Sequence, residues 1–416
     1  MDRRQFGKSL LTGTAAAVAS CQQASKPPAG QVPPLKESLD QAQNRKILRT
    51  AALKSPVIIE SIELLRKEGE FFIRARSTDG AEGIAIPNSR PRHFYPILNE
   101  LVIPYFIGKD ARNLEEDLFG VYRSSSNYKL QGQAFWCPVS WVEFALLDLM
   151  GRISGQPLHQ LIGDPIRNEV DFYIASSRRD TTAEEEVEHL QSLIEETGAK
   201  AVKYRVGGRM SRNEDSLPGR TEALIPLSRK VLGDQIAIHA DSNSSYDAEN
   251  GIRIGRMLEE IDAVYFEEPC PFDHLEETKA VTDTLEIPVS GGEQESSESR
   301  FRWMIENRGV DIVQPDLQYY GGLIRSHRVA EMAEVTGMPT TVHISGGFGF
   351  IYMLHFAAVT KSIGLFQEYK RNIERYAPWF ADGLSIGNGK LGVPLGPGVG
   401  ITNVAEVLKD AAPFPG

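Results

Sequence analysis

The sequence lacks an excess of basic residues. It contains 45 Lys and Arg against 56 Asp and Glu in 416 residues, a net charge of −11. Non-specific nucleic-acid binding needs a basic surface, so we expect no nucleic-acid partner. Apolar residues make up 41% of the chain and charged residues 24%, as in an ordinary soluble globular protein. The length allows a large core divided between two domains.

Cysteine is also scarce, with three in the chain. Cys137 and Cys270 stand in no metal-binding or disulfide spacing motif, so we expect two separate thiols rather than a pair. Cys21 lies near the N-terminus, where it belongs to a different pattern.

The chain begins with an apolar stretch over 9–19 that is too short to span a bilayer. An Arg-Arg-x-Phe-x-Lys pattern starting at Arg3 precedes it and resembles a twin-arginine export signal. The Val-Ala-Ser-Cys sequence ending at Cys21 resembles a lipobox, whose cysteine would carry a lipid anchor. These residues predict a signal over 1–21, a tether over 22–49, and an exported, periplasmic, membrane-anchored lipoprotein. The alternative is a disordered tail with an incidental cysteine.

The rest of the chain shows two patterns of elements. Short alternating strands and then helical patterns over 50–165 predict an α+β domain. Over 166–380, strand patterns near 172, 202, 238, 265, 289, 312, 341 and 366 alternate with helical ones. Such alternation predicts parallel βαβ units, and eight of them predict a closed (β/α)8-type barrel. The Gly- and Pro-rich segment 381–416 is expected to return to the first domain.

Three acids stand at equal steps in the second half of the chain: Asp241, Glu267 and Glu293. Each step, 241 to 267 and 267 to 293, is 26 residues, about one strand–helix unit. Each acid also closes a short apolar run with strand character. A single acid at a strand end is more often a helix cap or a solvated charge. Three in register at the mouth of a barrel predict a site for a hard divalent metal ion.

The motifs around these acids resemble those of the enolase superfamily, in its mandelate racemase-like branch. They are Asp241-Ser-Asn, Glu267-Glu-Pro and Gly-Gly-Glu293-Gln, in that order. The resemblance covers nearly everything from Val57 onward and implies a capping domain, a modified barrel and a Mg²⁺ site with these three ligands. Glu268 is the rival of Glu267, although only one of two neighbours on a strand can face the metal. Asn243 is expected beside Asp241.

The resemblance also implies a catalytic set. Asp316 and His343 match the family's carboxylate–imidazole dyad, in which the carboxylate fixes the tautomer of the base. Lys203 and Arg205 share one face of a strand and match the family's Lys-x-Lys. The arginine is the departure, because it is a poor proton acceptor. Arg205 is expected to clamp an anion, with a structural ion pair as the alternative.

The remaining candidates concern the substrate. At the position of Glu368 the family often has an acid that donates a hydrogen bond to the substrate carboxylate. A surface acid is the alternative. Arg90, His93 and Tyr95 lie in a loop that could cover an anionic polyhydroxy ligand, or that could be a plain exposed loop. Segment 122–136 is a second lid candidate.

The reaction implied by the resemblance begins with removal of a proton α to a carboxylate. Because Arg205 replaces the second base, the prediction is an acid-sugar dehydratase that forms a 2-keto-3-deoxy acid. A racemase, epimerase or cycloisomerase with the same site is the first alternative, and an anchored non-catalytic binding protein is the second. We expect a small carboxylate substrate, Mg²⁺ and a homo-oligomer.

Overall fold

The structure, a computed structural model, describes residues 35–370 and 372–415. Its α-helices are α1 (Leu35–Gln43), α2 (Pro91–Ile97), α3 (Ile103–Phe106), α4 (Leu114–Arg123), α5 (Gln133–Ser154), α6 (Ala183–Thr197), α7 (Arg220–Leu232), α8 (Ala248–Glu260), α9 (Leu275–Thr284), α10 (Glu298–Glu306), α11 (Leu323–Val335), α12 (Gly349–Val359) and α13 (Val404–Val407). Its strands are β1 (Ile59–Lys67), β2 (Glu70–Ser77), β3 (Glu82–Ala85), β4 (Glu169–Ala175), β5 (Ala201–Arg205), β6 (Ala237–Asp241), β7 (Tyr265–Glu267), β8 (Val289–Gly291), β9 (Ile312–Val313), β10 (Gln367–Tyr369), β11 (Ile386–Gly387), β12 (Lys390–Gly392) and β13 (Ala412–Pro413). The export signal and lipid anchor fall on residues 1–21, outside the described residues, and stay a prediction.

The first domain is built on an antiparallel meander of β1, β2 and β3. Pro413 pairs with Leu65 of β1, so β13 adds a fourth strand and the end of the chain returns to this sheet. The sheet lies directly on α5: a Cβ on Gly83 would stand 2.3 Å from the backbone nitrogen of Leu149. Only glycine permits so close an approach of strand and helix.

Helix α5 forms the core of this domain. By length and apolar composition it could cross a membrane, but 94% of its apolar window is buried inside the protein. Trp141 and Phe144, for example, are both 0% exposed. The helix is therefore a core element of the fold.

The second domain is built around a ring of parallel strands, to which β12 adds antiparallel at β4 and β11 antiparallel at β12. Strands β4 to β9 pair in chain order, and β10 pairs in parallel with β4. Between β9 and β10, Thr340 makes single parallel bridges to Val313 on one side and Ile363 on the other. The strand positions thus follow one another around the ring, with the seventh reduced to bridge residues. The fold class is the predicted one, an α/β barrel with an N-terminal α+β domain, and its strand ends meet at one mouth.

The predicted tether over 22–49 is wrong for its second half. Helix α1 lies on α11, and its Leu39 is fully buried in an apolar cluster with Val329 and Met332. Farther on, the backbone N–H of Leu48 donates to the buried carboxylate of Glu115 at 2.8 Å. A short helix can dock through one or two apolar side chains, a pattern too sparse to stand out in a polar segment.

Four buried histidines predict a loss of stability in acid. Burial lowers the pKa of His159, His239 and His327 to about 4 and that of His355 to about 3. The unfolded chain takes up these protons near pH 6.5, whereas the folded chain does not. The stability that the neutral, buried histidines provide is therefore fully present above pH 6.5, and it declines as the pH falls toward 4. Between pH 7.5 and 5.5, we expect a loss of about 1.4 kcal/mol per histidine, measured by urea unfolding.

The variant His327→Leu isolates one of these contributions. Neither ring nitrogen of His327 has a hydrogen-bond partner among the described residues, so an apolar side chain leaves no donor unpaired. In this variant, the loss of unfolding free energy between pH 7.5 and 5.5 should be smaller by about the contribution of one histidine. His274→Leu is the matched control, because this side chain is 52% exposed. If the free energy of unfolding fell equally with pH in the wild type and in both variants, the prediction would be contradicted.

Candidate active site

Three acids converge at the mouth of the barrel because the strands that carry them are in register. Asp241 ends β6 and pairs with Glu267, which ends β7, and Glu293 follows β8 by two residues. All three side chains are buried, and one ligand atom from each lies within 4.8 Å of the others. The structure thus brings the predicted metal triad together.

The chemistry of this cluster fits a hard cation. The Oε1 atom of Glu267 is buried and has no hydrogen-bond partner among the described residues. Leaving such an oxygen unpaired is costly, and a divalent cation bound by oxygen ligands would satisfy it. Gln314 donates to the other oxygen of Glu267 at 3.0 Å and so orients the carboxylate.

Lys203 lies at the centre of the mouth. Its Nζ is 2.8 Å from Glu267 Oε2, 3.6 Å from Glu368 Oε1 and 3.9 Å from Asp241 Oδ2. Burial works to lower the pKa of Lys203, but the charges of Glu267 and Glu368 outweigh it and raise the pKa above its ordinary value. Lys203 is therefore a fixed cation at this mouth.

Arg205 occupies the same face of β5 as Lys203, as the alternation predicted. Its guanidinium lies against Asp241, whereas Tyr204 turns outward and its hydroxyl lies 3.2 Å from that of Ser228 on α7. The structure thus shows the ion pair that was the alternative for Arg205, and its role as a clamp for an anion stays a prediction.

Asn243 stands next to Asp241, as predicted, although strand geometry does not continue to it. Its φ is +41°, in the left-handed region. This turn lets its backbone N–H and its Nδ2 donate to the two oxygens of Asp241, at 2.7 and 3.2 Å. Asparagine tolerates this backbone conformation better than most residues. Asn243 therefore fixes the orientation of Asp241.

The predicted dyad is assembled across the mouth. His343 Nδ1 lies 2.7 Å from Asp316 Oδ2, and the other oxygen of Asp316 accepts from the backbone N–H groups of Gln318 and Tyr319 at 2.8 and 2.9 Å. His343 Nε2 faces the triad, 3.3 Å from Glu293 Oε2. Burial works to lower the pKa of His343, but Glu293, Glu368 and the hydrogen bond to Asp316 together raise it.

Glu368 is buried and lies between two lysines, not on the surface. Its Oε2 accepts from the backbone N–H of Ile344 at 2.7 Å, and Lys370 lies 3.6 Å away. Burial works to raise the pKa of Glu368, but Lys370 and then Lys203 outweigh it and hold the pKa well below its ordinary value. Its burial shows that the alternative, a surface acid, is wrong. Glu368 contacts Lys203, whose Nζ lies 3.6 Å from its Oε1, and the predicted hydrogen bond from Glu368 to the substrate carboxylate stays a prediction.

Glu268 does not join the triad. It is buried with a φ of +44°, because the chain leaves strand geometry directly after Glu267. Burial, followed by repulsion from Glu293 and Glu267, raises its pKa well above the ordinary value. Glu267 is therefore the member of the pair placed to bind a metal.

The loop predicted as a lid contacts the dyad through its first half only. Asn88 donates to Ser345 at 3.1 Å, and Ser345 donates to Asp316 at 3.1 Å. Arg90 lies 3.5 Å from the hydroxyl of Tyr319. The two other candidates in this segment, His93 and Tyr95, do not reach the dyad. His93 is exposed on α2, and the ring of Tyr95 packs edge-on against Phe414, with centroids 5.4 Å apart.

Segment 122–136, the second lid candidate, also reaches the site. Gln133 at the start of α5 donates to Gln294 at 2.9 Å. Gln294 in turn donates to Glu293 Oε1 at 2.8 Å. The capping domain therefore orients one of the triad's carboxylates from above.

Arg179 is one of the site residues that the sequence reasoning missed, with Gln314, Gln294 and Lys370. Arg179 follows β4 in a loop, and its guanidinium donates to Asn243 Oδ1. Burial, followed by repulsion from Arg205, Arg209 and Arg220, lowers the pKa of Arg179 to about 9. Its position one strand away from Lys203 is a signal that could have found it, since every strand end of a barrel faces the same mouth.

Two family models match the chain. Mandelate racemase / muconate lactonizing enzyme, N-terminal domain, matches residues 46–163, and Enolase C-terminal domain-like matches residues 185–407.

Similar proteins of known name are acid-sugar dehydratases. Arabinonate dehydratase of Saccharolobus solfataricus is 30% identical over 310 residues, which is 73% of this chain and 80% of that protein. D-xylonate dehydratase of Haloferax volcanii is 25% identical over 322 residues, which is 73% of this chain and 76% of that protein.

Solved structures share the fold. A candidate racemase from Roseobacter denitrificans has a TM-score of 0.78 at 33% identity, covering 85% of this chain and 98% of that one. A mandelate racemase/muconate lactonizing protein from Paracoccus denitrificans, complexed with magnesium, has a TM-score of 0.77 at 24% identity, covering 86% and 99%.

Proposed function

The chain belongs to the mandelate racemase/muconate lactonizing enzyme family, and from this premise we propose that it is an acid-sugar dehydratase. The reaction removes a proton α to a carboxylate and then expels a β-hydroxyl group as water. The product is a 2-keto-3-deoxy acid. The dehydratases named above, which act on sugar acids, support this class.

The observation that carries the proposal is the asymmetry of the mouth. One side holds the His343–Asp316 dyad, with Nε2 directed toward the triad. The β5 side holds Lys203 among carboxylates and Arg205 against Asp241. An arginine does not lose its proton in proteins. His343 is therefore the group placed to act as a base, while Lys203 is held as a cation among carboxylates. This arrangement suits elimination better than racemisation, which needs a base on each side of the substrate.

The triad of Asp241, Glu267 and Glu293 would hold Mg²⁺, which prefers oxygen ligands and keeps coordination positions open. When bound, Mg²⁺ supplies electrophilic stabilisation of the negative charge that develops on the substrate carboxylate. The magnesium complex of the Paracoccus protein supports this choice of metal.

His343 has both proton-transfer roles in the proposal. Its Nε2 takes the α-proton, while Asp316 holds Nδ1 and stabilises the imidazolium. The same Nε2 then returns a proton to the β-hydroxyl as the carbon–oxygen bond breaks, and water leaves. Lys203 stabilises negative charge on the substrate from the opposite side. The resulting enol becomes the keto acid by gaining a proton at the β-carbon and losing the proton of its hydroxyl group.

Racemisation or epimerisation is the second candidate, favoured by one observation. The Roseobacter protein, 33% identical in sequence, is a candidate racemase. That reaction needs proton delivery from the side opposite His343, where Lys203 is the available group.

The test is incubation of the Mg²⁺-loaded protein in D2O with a panel of aldonic and aldaric acids. Dehydration predicts a keto acid, detected with semicarbazide, and deuterium at the β-carbon of the product. Epimerisation predicts deuterium at the α-carbon without loss of water. The proposal fails if no acid on the panel yields a keto acid.

A further inference from the structure

Two arginines beside the triad have no acidic partner among the residues that the structure describes. Lys203 and Arg205 each contact a carboxylate of the triad. By contrast, neither Arg179 nor Arg209 has a carboxylate oxygen within 4.0 Å in residues 35–370 and 372–415. Arg179 is partly buried and Arg209 is exposed. A partly buried guanidinium beside other cations is costly unless an anion compensates it.

Both arginines are directed at one amide oxygen. The Nη2 of Arg179 donates to Asn243 Oδ1, and the Nη2 of Arg209 lies 3.5 Å from the same atom. On its other side, Asn243 donates to Asp241 at 3.2 Å. The two guanidinium groups are therefore separated from the metal triad by one amide side chain and its hydrogen bonds. Two hydrogen bonds of about 3 Å each and the width of one amide group span roughly 8 Å, which is similar to the length of an extended six-carbon acid.

The loop that carries Arg209 is held in a fixed conformation. The backbone N–H of Met210 donates to the carbonyl of Asn243 at 3.1 Å. The carbonyl of Gly207 accepts from Arg179 at 3.4 Å. Met210 has a φ of +49°, a conformation that non-glycine residues keep only where their surroundings impose it. These contacts hold the backbone that carries Arg209 next to Arg179 and Asn243.

We infer that Arg179 and Arg209, bridged by Asn243, bind a terminal anionic group at the far end of the substrate. This inference rests on the proposed function and narrows it: the acid sugar is a dianion, with one carboxylate at the triad and a second anion at the arginine pair. Guanidinium groups bind carboxylates and phosphates alike, through paired charged hydrogen bonds. An aldaric acid and a phosphorylated aldonic acid share the required chemistry.

The test compares matched ligands that differ at the far end: galactarate with galactonate, and 6-phosphogluconate with gluconate. Binding is measured by calorimetry on the Mg²⁺-loaded His343→Asn protein, which does not consume the ligand. We expect the dianion of each pair to bind at least about 10-fold more tightly than its monoanion. Whichever pair of ligands shows the larger preference for the dianion identifies the terminal group as a carboxylate or a phosphate. Equal or weaker binding of both dianions would overturn the inference.

Adding Arg179→Gln to this protein should raise the Kd of the preferred dianion about 10- to 100-fold and that of its monoanion less than about 3-fold. Arg209→Gln should have the smaller effect, because this side chain is exposed. Arg179→Lys should recover part of the loss, which shows that the variant folds. Arg178→Gln is the matched control, an exposed neighbour. Equal weakening of dianion and monoanion by Arg179→Gln would assign Arg179 a structural role and overturn the inference.

Turnover separates this inference from the proposed function. Dehydration of aldonic acids without discrimination in favour of dianions would sink the inference and leave the dehydratase proposal standing. Tight, Arg179-dependent binding of a dianion without any keto acid product would sink the dehydratase proposal and leave the anion subsite standing.

Discussion

Replacing His343 by Asn should lower kcat by about 10³-fold on any acid sugar that the protein dehydrates. Asparagine can still donate to Asp316, whose other oxygen stays held by the backbone N–H of Gln318 and the hydroxyl of Ser345. The architecture of the mouth should therefore persist while its proton-transfer group is lost. Steady-state kinetics and calorimetric binding on the same preparation measure the two effects separately.

The expected pattern is a large fall in kcat with substrate affinity kept within about 3-fold. His274→Asn, the same change at an exposed position in the connection between β7 and α9, is the matched control and should keep the wild-type rate. A His343→Asn protein that retains more than about a tenth of the rate would place the proton transfer elsewhere, with Lys203 the first candidate. If the wild-type protein bound the acid sugars but converted none of them, the result would instead favour the alternative of a non-catalytic binding protein.

Sequence reasoning located the strand-end residues because barrel geometry makes them periodic. Asp241 and Glu267 are Cα partners in neighbouring strands, so equal spacing along the chain becomes proximity in space. Lys203 and Arg205 were placed on one face by strand alternation alone. These inferences need only the strand period and the common direction of the strands.

Residues in loops could not be placed in the same way. Arg179 meets Asn243 across 64 positions of sequence, and Asn243 reaches Asp241 through a left-handed backbone that no periodicity predicts. Tyr95 was expected over the site, but it packs against Phe414, a contact made when the end of the chain returns to the first sheet. Such contacts depend on tertiary packing, which overrides local pattern.

Glu268 and Glu267 illustrate how much the structure adds to a motif. Adjacent acids in one run are equal candidates by composition, and alternation shows only that they differ in direction. In the structure, Glu267 contacts Lys203 and Gln314, and its other oxygen has no partner in the described part of the chain. The difference between the two acids can be measured directly, since a glutamine in either place preserves size and removes charge.

Glu267→Gln should weaken Mg²⁺ binding by at least about 100-fold and abolish turnover, because one ligand charge is lost at the centre of the triad. The same change takes from Lys203 its nearest carboxylate, at 2.8 Å, which leaves a buried cation less well paired and should lower the stability of the metal-free protein. Calorimetric titration with Mg²⁺ and thermal unfolding in EDTA measure the two consequences independently of activity. Glu268→Gln is the matched comparison: it removes a carboxyl group outside the triad and should keep Mg²⁺ affinity within about 10-fold of the wild type. If the adjacent variant lost the metal and Glu267→Gln kept it, the assignment of the triad would be reversed. If both kept it, the three acids would not be the metal site, and the electrostatic basis of the proposed elimination would have to come from Lys203 and Arg205 alone.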